Sequence, residues 1–329
     1  MNDLPIPLLR LIDSHLEMID HLALTKVCRK FHRLHIDYTR SWREFKSKRY
    51  IPSDQRFFKY LISYYQVNDV RMACKGGIEF VKLLKSYDVN KCLYYACRVE
   101  NLEIISLMIQ KGANDWNRGL YGACRSGNIE IVHLMIQRGA NDWNGGLVGA
   151  CSSNLHIVLL MIKNGANDWN AGLKEACKSG NLGIARLMID RGANDWSDGL
   201  WNACSGGDIR IVRLMIKKGA NDWNGGLHCA CLIGNMNIVR LMKGADNWND
   251  GLRCACFTGR MNIVRWLIKK GANDWNGSLS YACSGGNIEI VQLLIDRGAN
   301  NWHGGLRGAY HANNTDLMRL IISKADEEH

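Results

Sequence analysis

Residues 119–144 read GLYGACRSGNIEIVHLMIQRGANDWN, and the spacing of their apolar side chains decides the fold. Leu120, Ala123 and Cys124 stand at i, i+3 and i+4, and Ile131, Leu134 and Met135 repeat that spacing with Val132 and Ile136 beside them. That is the pattern of two short amphipathic helices. Gly127 and Asn128 suit the end of one helix and the cap of the next, and Gly139, after Gln137 and Arg138, is placed as a left-handed carboxyl-terminal cap. Neither apolar face closes a core alone, so each pair of helices must be buried against another pair.

The same pattern recurs on both sides of this stretch. Ala-Cys returns with its cysteine at 74, 97, 124, 151, 177, 204, 231, 256 and 283, and Ala309-Tyr310 continues the series as a tenth repeat. Gly-Ala recurs from Gly112 to Gly298, each time followed closely by a tryptophan: Trp116, Trp143, Trp169, Trp196, Trp223, Trp248, Trp275 and Trp302. A fixed period in the range of roughly 20 to 50 residues is the signature of a solenoid. The tryptophans share one phase and are expected to form a structural ladder along one edge, each contributing up to several kcal/mol by burial (roughly 25 cal/mol per Å²). The Asn-Asp pair before most of them reads mainly as turn chemistry. Two repeats are irregular: Cys151-Ser152-Ser153-Asn154 lacks the turn glycine, and Leu241-Met242-Lys243-Gly244 has lost two residues of its second helix.

Composition excludes several classes. With 47% hydrophobic and 22% charged residues the 329-residue chain is not disordered, and all three prolines (Pro5, Pro7, Pro52) precede the repeats. No window reaches the roughly 18 uninterrupted apolar residues of a membrane span, and the amino end lacks a signal-peptide core. Thirteen cysteines without a secretory signal read as reduced thiols of an intracellular protein, in cytoplasm or nucleus, with the repeating cysteine a small buried hydrophobe. The net charge of +11 permits an acidic partner but serves solubility equally, and nucleic acid is not the expected partner.

GNIEIVHLMIQRGA resembles the second helix of an ankyrin repeat, and Leu-x-x-Ala-Cys resembles that family's first helix with its Leu-x-x-Ala-Ala pattern. The resemblance spans about residues 68 to 325 and implies an all-α solenoid of about ten repeats over residues 68–329. It departs from the family in lacking the Thr-Pro-Leu-His start and in falling about six residues short of the usual period. Only Asn117, Arg118 and Gly119 separate Trp116 from Leu120, so a tight loop is expected in place of the projecting β-hairpin finger.

Residues 1–45 do not obey the repeat. Leu8, Leu9, Ile12 and Leu16 form one helical stripe and Leu24, Val27, Cys28 and Phe31 another, with Asp20 as an amino-terminal cap for the second run. The Leu4-Pro5 opening, Leu8, Leu9, Ile12, Leu16, the Asp20 to Leu22 step, Val27 to Phe31 and the trailing Trp42 resemble an F-box in order. That resemblance implies a three-helix module whose Leu4, Pro5, Leu8, Leu9, Ile12, Leu16, Leu22, Val27, Cys28 and Phe31 bind the linker subunit of an SCF-type cullin-RING ubiquitin ligase. So small a segment leaves apolar surface uncovered. The plainer reading is a terminal cap for the solenoid, which every such stack needs. Residues 46–67, with Lys46, Lys48, Arg49 and aromatics at helical spacing, read as a linker and cap for the first repeat.

No phosphate-binding, dinucleotide-binding or hydrolase motif is present, so neither enzyme activity nor a cofactor is expected. Cys229-x-Cys231 and Cys254-x-Cys256 suggest a four-thiolate metal site, but residues two apart on a helix point about 200° apart. With Cys231 and Cys256 in the core, Cys229 and Cys254 are expected to face away, and no metal is expected. Function should then sit where repeats differ: the two positions after the repeating leucine, among them Tyr121, Lys174, Glu175, Trp201, His228, Arg253, Tyr281 and Arg307. In ankyrin-like stacks this side of the first helix lines the concave surface, and Tyr, Trp and Arg are favoured at hot spots. The alternative is drift at solvated positions. Together the resemblances imply a non-enzymatic, substrate-recruiting adaptor of a ubiquitin ligase, of a kind encoded by large DNA viruses, or else an ankyrin-like interaction scaffold without a ligase link.

Overall fold

The computed structural model describes residues 70–84 and 86–327. The F-box-like module at 1–45, with Leu4, Pro5, Leu8, Leu9, Ile12, Leu16, Leu22, Val27, Cys28 and Phe31, and the linker at 46–67 lie outside the described residues. The described residues are helical, without a strand, and none of their helices is long and apolar enough to cross a membrane.

Two compact units divide the chain, Met1–Asp115 and Trp116–His329. The described part of the first holds α1 (Val70–Gly76), α2 (Ile78–Leu83), α3 (Val89–Arg98) and α4 (Leu102–Gln110). The second holds eight helix pairs: α5 (Trp116–Ser126) and α6 (Ile129–Gln137), α7 (Trp143–Ala150) and α8 (Leu155–Lys163), α9 (Trp169–Ser179) and α10 (Leu182–Asp190), then α11 (Trp196–Gly206) and α12 (Ile209–Lys217). These are followed by α13 (Trp223–Ile233) and α14 (Met236–Val239), α15 (Trp248–Phe257) and α16 (Met261–Lys269), α17 (Trp275–Ser284) and α18 (Ile288–Ile295), and α19 (Trp302–His311) and α20 (Thr315–Asp326).

The turns follow the sequence reading with one shift. Asn128 caps α6, its Oδ1 accepting the Glu130 and Ile131 amides at 3.1 Å. Gly139 takes φ +105°, and the Ala140 amide reaches back to the Met135 carbonyl at 3.0 Å, closing the helix end with the left-handed geometry that an L side chain resists. Each first helix, however, starts at its tryptophan, one turn before the repeating leucine. The aspartate of Asn-Asp-Trp causes this: Asp142 Oδ1 accepts the Gly145 amide at 2.9 Å, and Asp168, Asp222 and Asp274 cap their helices in the same way. The residues between the tryptophan and the leucine are therefore helix, and the loop between repeats is shorter still.

Leu120, Ala123, Cys124, Ile131, Val132 and Met135 are essentially fully buried, and their counterparts are buried through the second unit up to the last repeat, where Leu306 and Met318 are half-buried and Tyr310 is exposed. In four repeats the glycine before the leucine, Gly146, Gly172, Gly199 or Gly226, is a socket for the methionine of its own second helix: a Cβ on Gly172 would stand 2.5 Å from Met188 Sδ, and one on Gly199 2.6 Å from Met215 Sδ. Where the second helix offers Leu294 instead, the socket position is Ser278, fully buried, with an Oγ that finds no partner stronger than the Cys256 thiol. An unsatisfied buried hydroxyl costs about 1–3 kcal/mol. Ser278→Ala is therefore expected to raise stability by about 1 kcal/mol in urea unfolding, and a loss would show that the hydroxyl is bonded after all.

Both irregular repeats keep their core. In the first, Ser153 Oγ donates to the Cys124 carbonyl at 2.8 Å and Asn154 Nδ2 to the Gly127 carbonyl at 3.2 Å, so polar side chains bridge to the preceding repeat where the turn glycine is missing. In the second, the deletion cuts α14 to four residues, yet Met242 remains fully buried.

The asparagine after each tryptophan ties neighbouring repeats together. Asn117 Oδ1 accepts the Asn141 and Asp142 amides at 2.7 and 2.9 Å, and its Nδ2 donates to Asn141 Oδ1 at 3.3 Å. Asn144, Asn170, Asn224, Asn249 and Asn276 do the same for the repeat that follows each of them, and Asn90 does so within the first compact unit. Ser197 stands in for one asparagine, through its hydroxyl. The Asn-Asp pair is thus more than a turn: its amides are the receiving half of an inter-repeat hydrogen-bond ladder.

All eight tryptophans are half-buried and pack within their own repeats. Arg138 lies 5.8 Å over the Trp116 ring, Lys218 5.8 Å over Trp196 and Arg297 5.9 Å over Trp275. The rings are in phase, but half-burial reduces the apolar contribution of each to about 2–3 kcal/mol.

Candidate functional site

The first helices present a row of side chains on the side away from their second helices. Helical geometry splits the two positions after the leucine. The first points outward: Lys174, Trp201 and Arg307 are exposed, Tyr121, His228 and Arg253 half-buried. The second points at the first helix of the preceding repeat, so Gly149, Asn202, Cys229, Cys254 and Gly308 are buried in the seam between repeats of the second unit. Glu175 and Tyr281 hold this second position too, Glu175 half-buried and Tyr281 47% exposed.

That seam overturns one expectation. Cys229 and Cys254 do not face solvent but are only 4% and 5% exposed. The 200° argument turns them away from the second helices correctly, but in a stack that direction meets the neighbouring repeat. Cys254 Sγ accordingly comes to 3.4 Å from His228 Nδ1 on α13.

Ion pairs knit several of the outward residues together. Arg125 Nη1 meets Glu175 Oε1 at 2.9 Å, from α5 to α9, and Arg125 also reaches the Tyr121 hydroxyl at 3.2 Å. Lys174 Nζ stands 3.3 Å from Asp198, His228 Nδ1 2.7 Å from Asp250, and Arg253 Nη1 2.8 Å from Asp274. Arg125, Asp198, Asp250 and Asp274 were not among the residues expected from sequence. For Asp198 and Asp250 a signal was available: an acidic residue after Trp-Ser or Trp-Asn faces the outward residue of the repeat before. The aromatic rings stay open, Trp201 at 41% and Tyr281 at 47% exposed. Around Tyr281 a surface depression of about 400 Å³ is lined by Asn276, Arg253, His303 and Arg307, drawing α15, α17 and α19 into one patch.

The thiols of the frame are chemically quiet. Burial pushes Cys97, Cys124, Cys151, Cys177, Cys204, Cys256 and Cys283 up to about 12, so the nucleophilic thiolate is suppressed at neutral pH. Cys92 differs: a hydrogen bond with Cys74, Sγ to Sγ 3.4 Å, lowers it against the opposing effect of burial.

Residues 70–144 and 227–303, somewhat under half of the chain, match the family model for ankyrin repeats (three copies). Among solved structures, the chain is similar to the ankyrin repeat domain of human ASB11, at 22% identity over 55% of this chain and 83% of that one, with a TM-score of 0.36. No curated protein matches.

Proposed function

We propose that the chain is a protein-binding adaptor: the outward face of its ankyrin-type first helices holds a target protein, and residues 1–45 couple that target to a cullin-RING ubiquitin ligase. The observation that carries the first half is the contrast between frame and face. Core, cap and ladder positions are nearly invariant from repeat to repeat, while the outward position runs through Tyr121, Val148, Lys174, Trp201, His228, Arg253, Ser280 and Arg307. A frame that repeats and a face that does not is the economy of a recognition surface, and exposed Trp, Tyr and Arg are the residue types that carry most binding energy in interfaces. The second half rests on the ordered F-box resemblance of residues 1–45, with Leu8 and Leu9 at its centre.

Two variants separate the halves. Leu8→Asp with Leu9→Asp is expected to abolish recovery of the ligase linker subunit while leaving target binding intact. Trp201→Ala with Tyr281→Ala is expected to weaken target binding by at least about tenfold, roughly 1.4 kcal/mol, and to leave linker recovery unchanged. Equal linker recovery with the first pair sinks the ligase link and leaves an interaction scaffold; equal target affinity with the second pair sinks the assignment of the face.

A further inference from the structure

Between α13 and α15 three side chains with lone pairs converge on one point. His228 Nδ1 lies 2.7 Å from Asp250 Oδ2 and 3.4 Å from Cys254 Sγ, and the three ligating atoms all lie within 4.8 Å of one another. None of them belongs to the repeating frame. Where Asp250 stands, four other repeats carry Gly145, Gly225, Gly277 and Gly304, and where Cys254 stands three carry Gly122, Gly149 and Gly308. The sulfur is buried at 5% exposure, while the side chains of His228 and Asp250 are 40% and 34% exposed, so the cluster has a closed floor and an open mouth.

One ring proton serves both neighbours: Nδ1–H can donate to Asp250 Oδ2 at 2.7 Å, which leaves the Cys254 sulfur at most a weak second acceptor at 3.4 Å. Both neighbours approach the same ring nitrogen, and a neutral imidazole has one proton or one lone pair there. If Nδ1–H donates to Asp250, it cannot accept from the Cys254 thiol; if it accepts from the thiol, its lone pair faces a carboxylate oxygen at 2.7 Å. The same fact excludes a nucleophile relay, which uses the two different ring nitrogens for base and orienter. A cation at the point of convergence engages all three atoms at once.

We infer that His228, Asp250 and Cys254 form a three-ligand site for a divalent transition metal of the zinc class. Imidazole, carboxylate and thiolate together suit a borderline-soft ion, and bonds of roughly 2.0–2.3 Å in tetrahedral geometry set the ligating atoms about 3.2–3.8 Å apart; the 3.4 Å from His228 Nδ1 to Cys254 Sγ lies in that range, and the 2.7 Å from Nδ1 to Asp250 Oδ2 must open by about 0.5 Å as the ring proton moves to Nε2 and the cation enters. Binding replaces the Cys254 S–H bond by a metal–sulfur bond and releases that proton to solvent. Three protein ligands leave a fourth position open through the mouth, on the outward face of the first helices, for water or a donor atom of a bound protein. The Arg253 guanidinium does not block the site, because it is turned to Asp274 at 2.8 Å and stands 3.8 Å from the other oxygen of Asp250. This site does not depend on the ligase link proposed above.

The test is cobalt(II) titration of the reduced, metal-free, full-length chain. Intact protein is expected to bind one equivalent with a near-ultraviolet thiolate-to-cobalt charge-transfer band and the visible bands of tetrahedral cobalt, both displaced by zinc. Cys254→Ala should lose the charge-transfer band, and His228→Ala, at a half-exposed position where folding is not at stake, should weaken binding by at least about tenfold. Cys229→Ala should change nothing. The absence of a charge-transfer band in the intact chain, or its persistence unchanged in either His228→Ala or Cys254→Ala, overturns the assignment.

Discussion

Raising the pH from about 8.5 to about 10.5 is expected to unfold the second compact unit cooperatively, with a midpoint near pH 10. The thiols of the frame drive this. Cys124, Cys151, Cys177, Cys204, Cys256 and Cys283 are each raised by burial from an ordinary 9.0 to about 12. In the unfolded chain they ionise near the ordinary value, so between about 9 and about 12 the unfolded state binds fewer protons and stability falls as pH rises. Below that window both states hold the proton and the thiols contribute no pH dependence. Each thiol costs about 1.4 kcal/mol per pH unit inside the window, so six together cost about 8, against the roughly 5–15 kcal/mol that holds a typical domain together. Circular dichroism against pH under reducing conditions reads the transition. Replacing Cys124, Cys151 and Cys177 by Ala, the residue that ankyrin first helices carry there, should move the midpoint to higher pH. Helix content unchanged at about pH 11 would mean that the thiols are not sealed from base as their burial implies.

The same burial explains why so much of the fold was legible. Leu120, Ala123, Cys124, Ile131, Val132 and Met135 make contacts within a repeat or with an identical neighbour, so periodicity alone identifies them. Local caps such as Asn128 are legible because donor and acceptor lie within three residues. The features that sequence reading missed are contacts from one repeat to the next. Asn117 bonds amides 24 and 25 residues away, and nothing near Asn117 in sequence marks it. A signal did exist: asparagine follows tryptophan in six of the eight Trp-led repeats and gives way to His303 in the last, where no further helix pair follows among the described residues. Cys254 was misplaced for the same reason. A helical wheel tells which residues turn away from the partner helix, but not whether a neighbouring repeat waits on that side. His228, Asp250 and Cys254 likewise meet only after α13 and α15 are stacked.

Gly149→Leu is expected to destabilise the second unit by more than any single change on its outward face, and even Gly149→Ala should cost about 1–3 kcal/mol. The sign is informative, since glycine to alanine inside a helix normally gains about 1 kcal/mol. At Gly149 a Cβ would stand 2.8 Å from the Tyr121 carbonyl oxygen, 3.1 Å from Cys124 Cβ and 3.3 Å from the Arg125 amide nitrogen, all on or next to the backbone of α5. No rotamer relieves a collision with a backbone carbonyl, so α5 and α7 must separate, and every contact in their seam loosens with them. The Arg125–Glu175 ion pair at 2.9 Å spans from α5 past α7 to α9, so a separation of α5 from α7 is expected to strain it as well. Gly183 is the matched control: it lies in α10, is exposed, and a Cβ there meets nothing closer than 3.9 Å. Gly183→Ala should therefore gain about 0.5–1 kcal/mol by propensity alone. Opposite signs for these two alanines, read from urea unfolding under identical conditions, would locate the tightest demand of the solenoid in the seam between first helices; equal gains would show that the seam yields and that repeat-to-repeat packing is looser than the distances at Gly149 require.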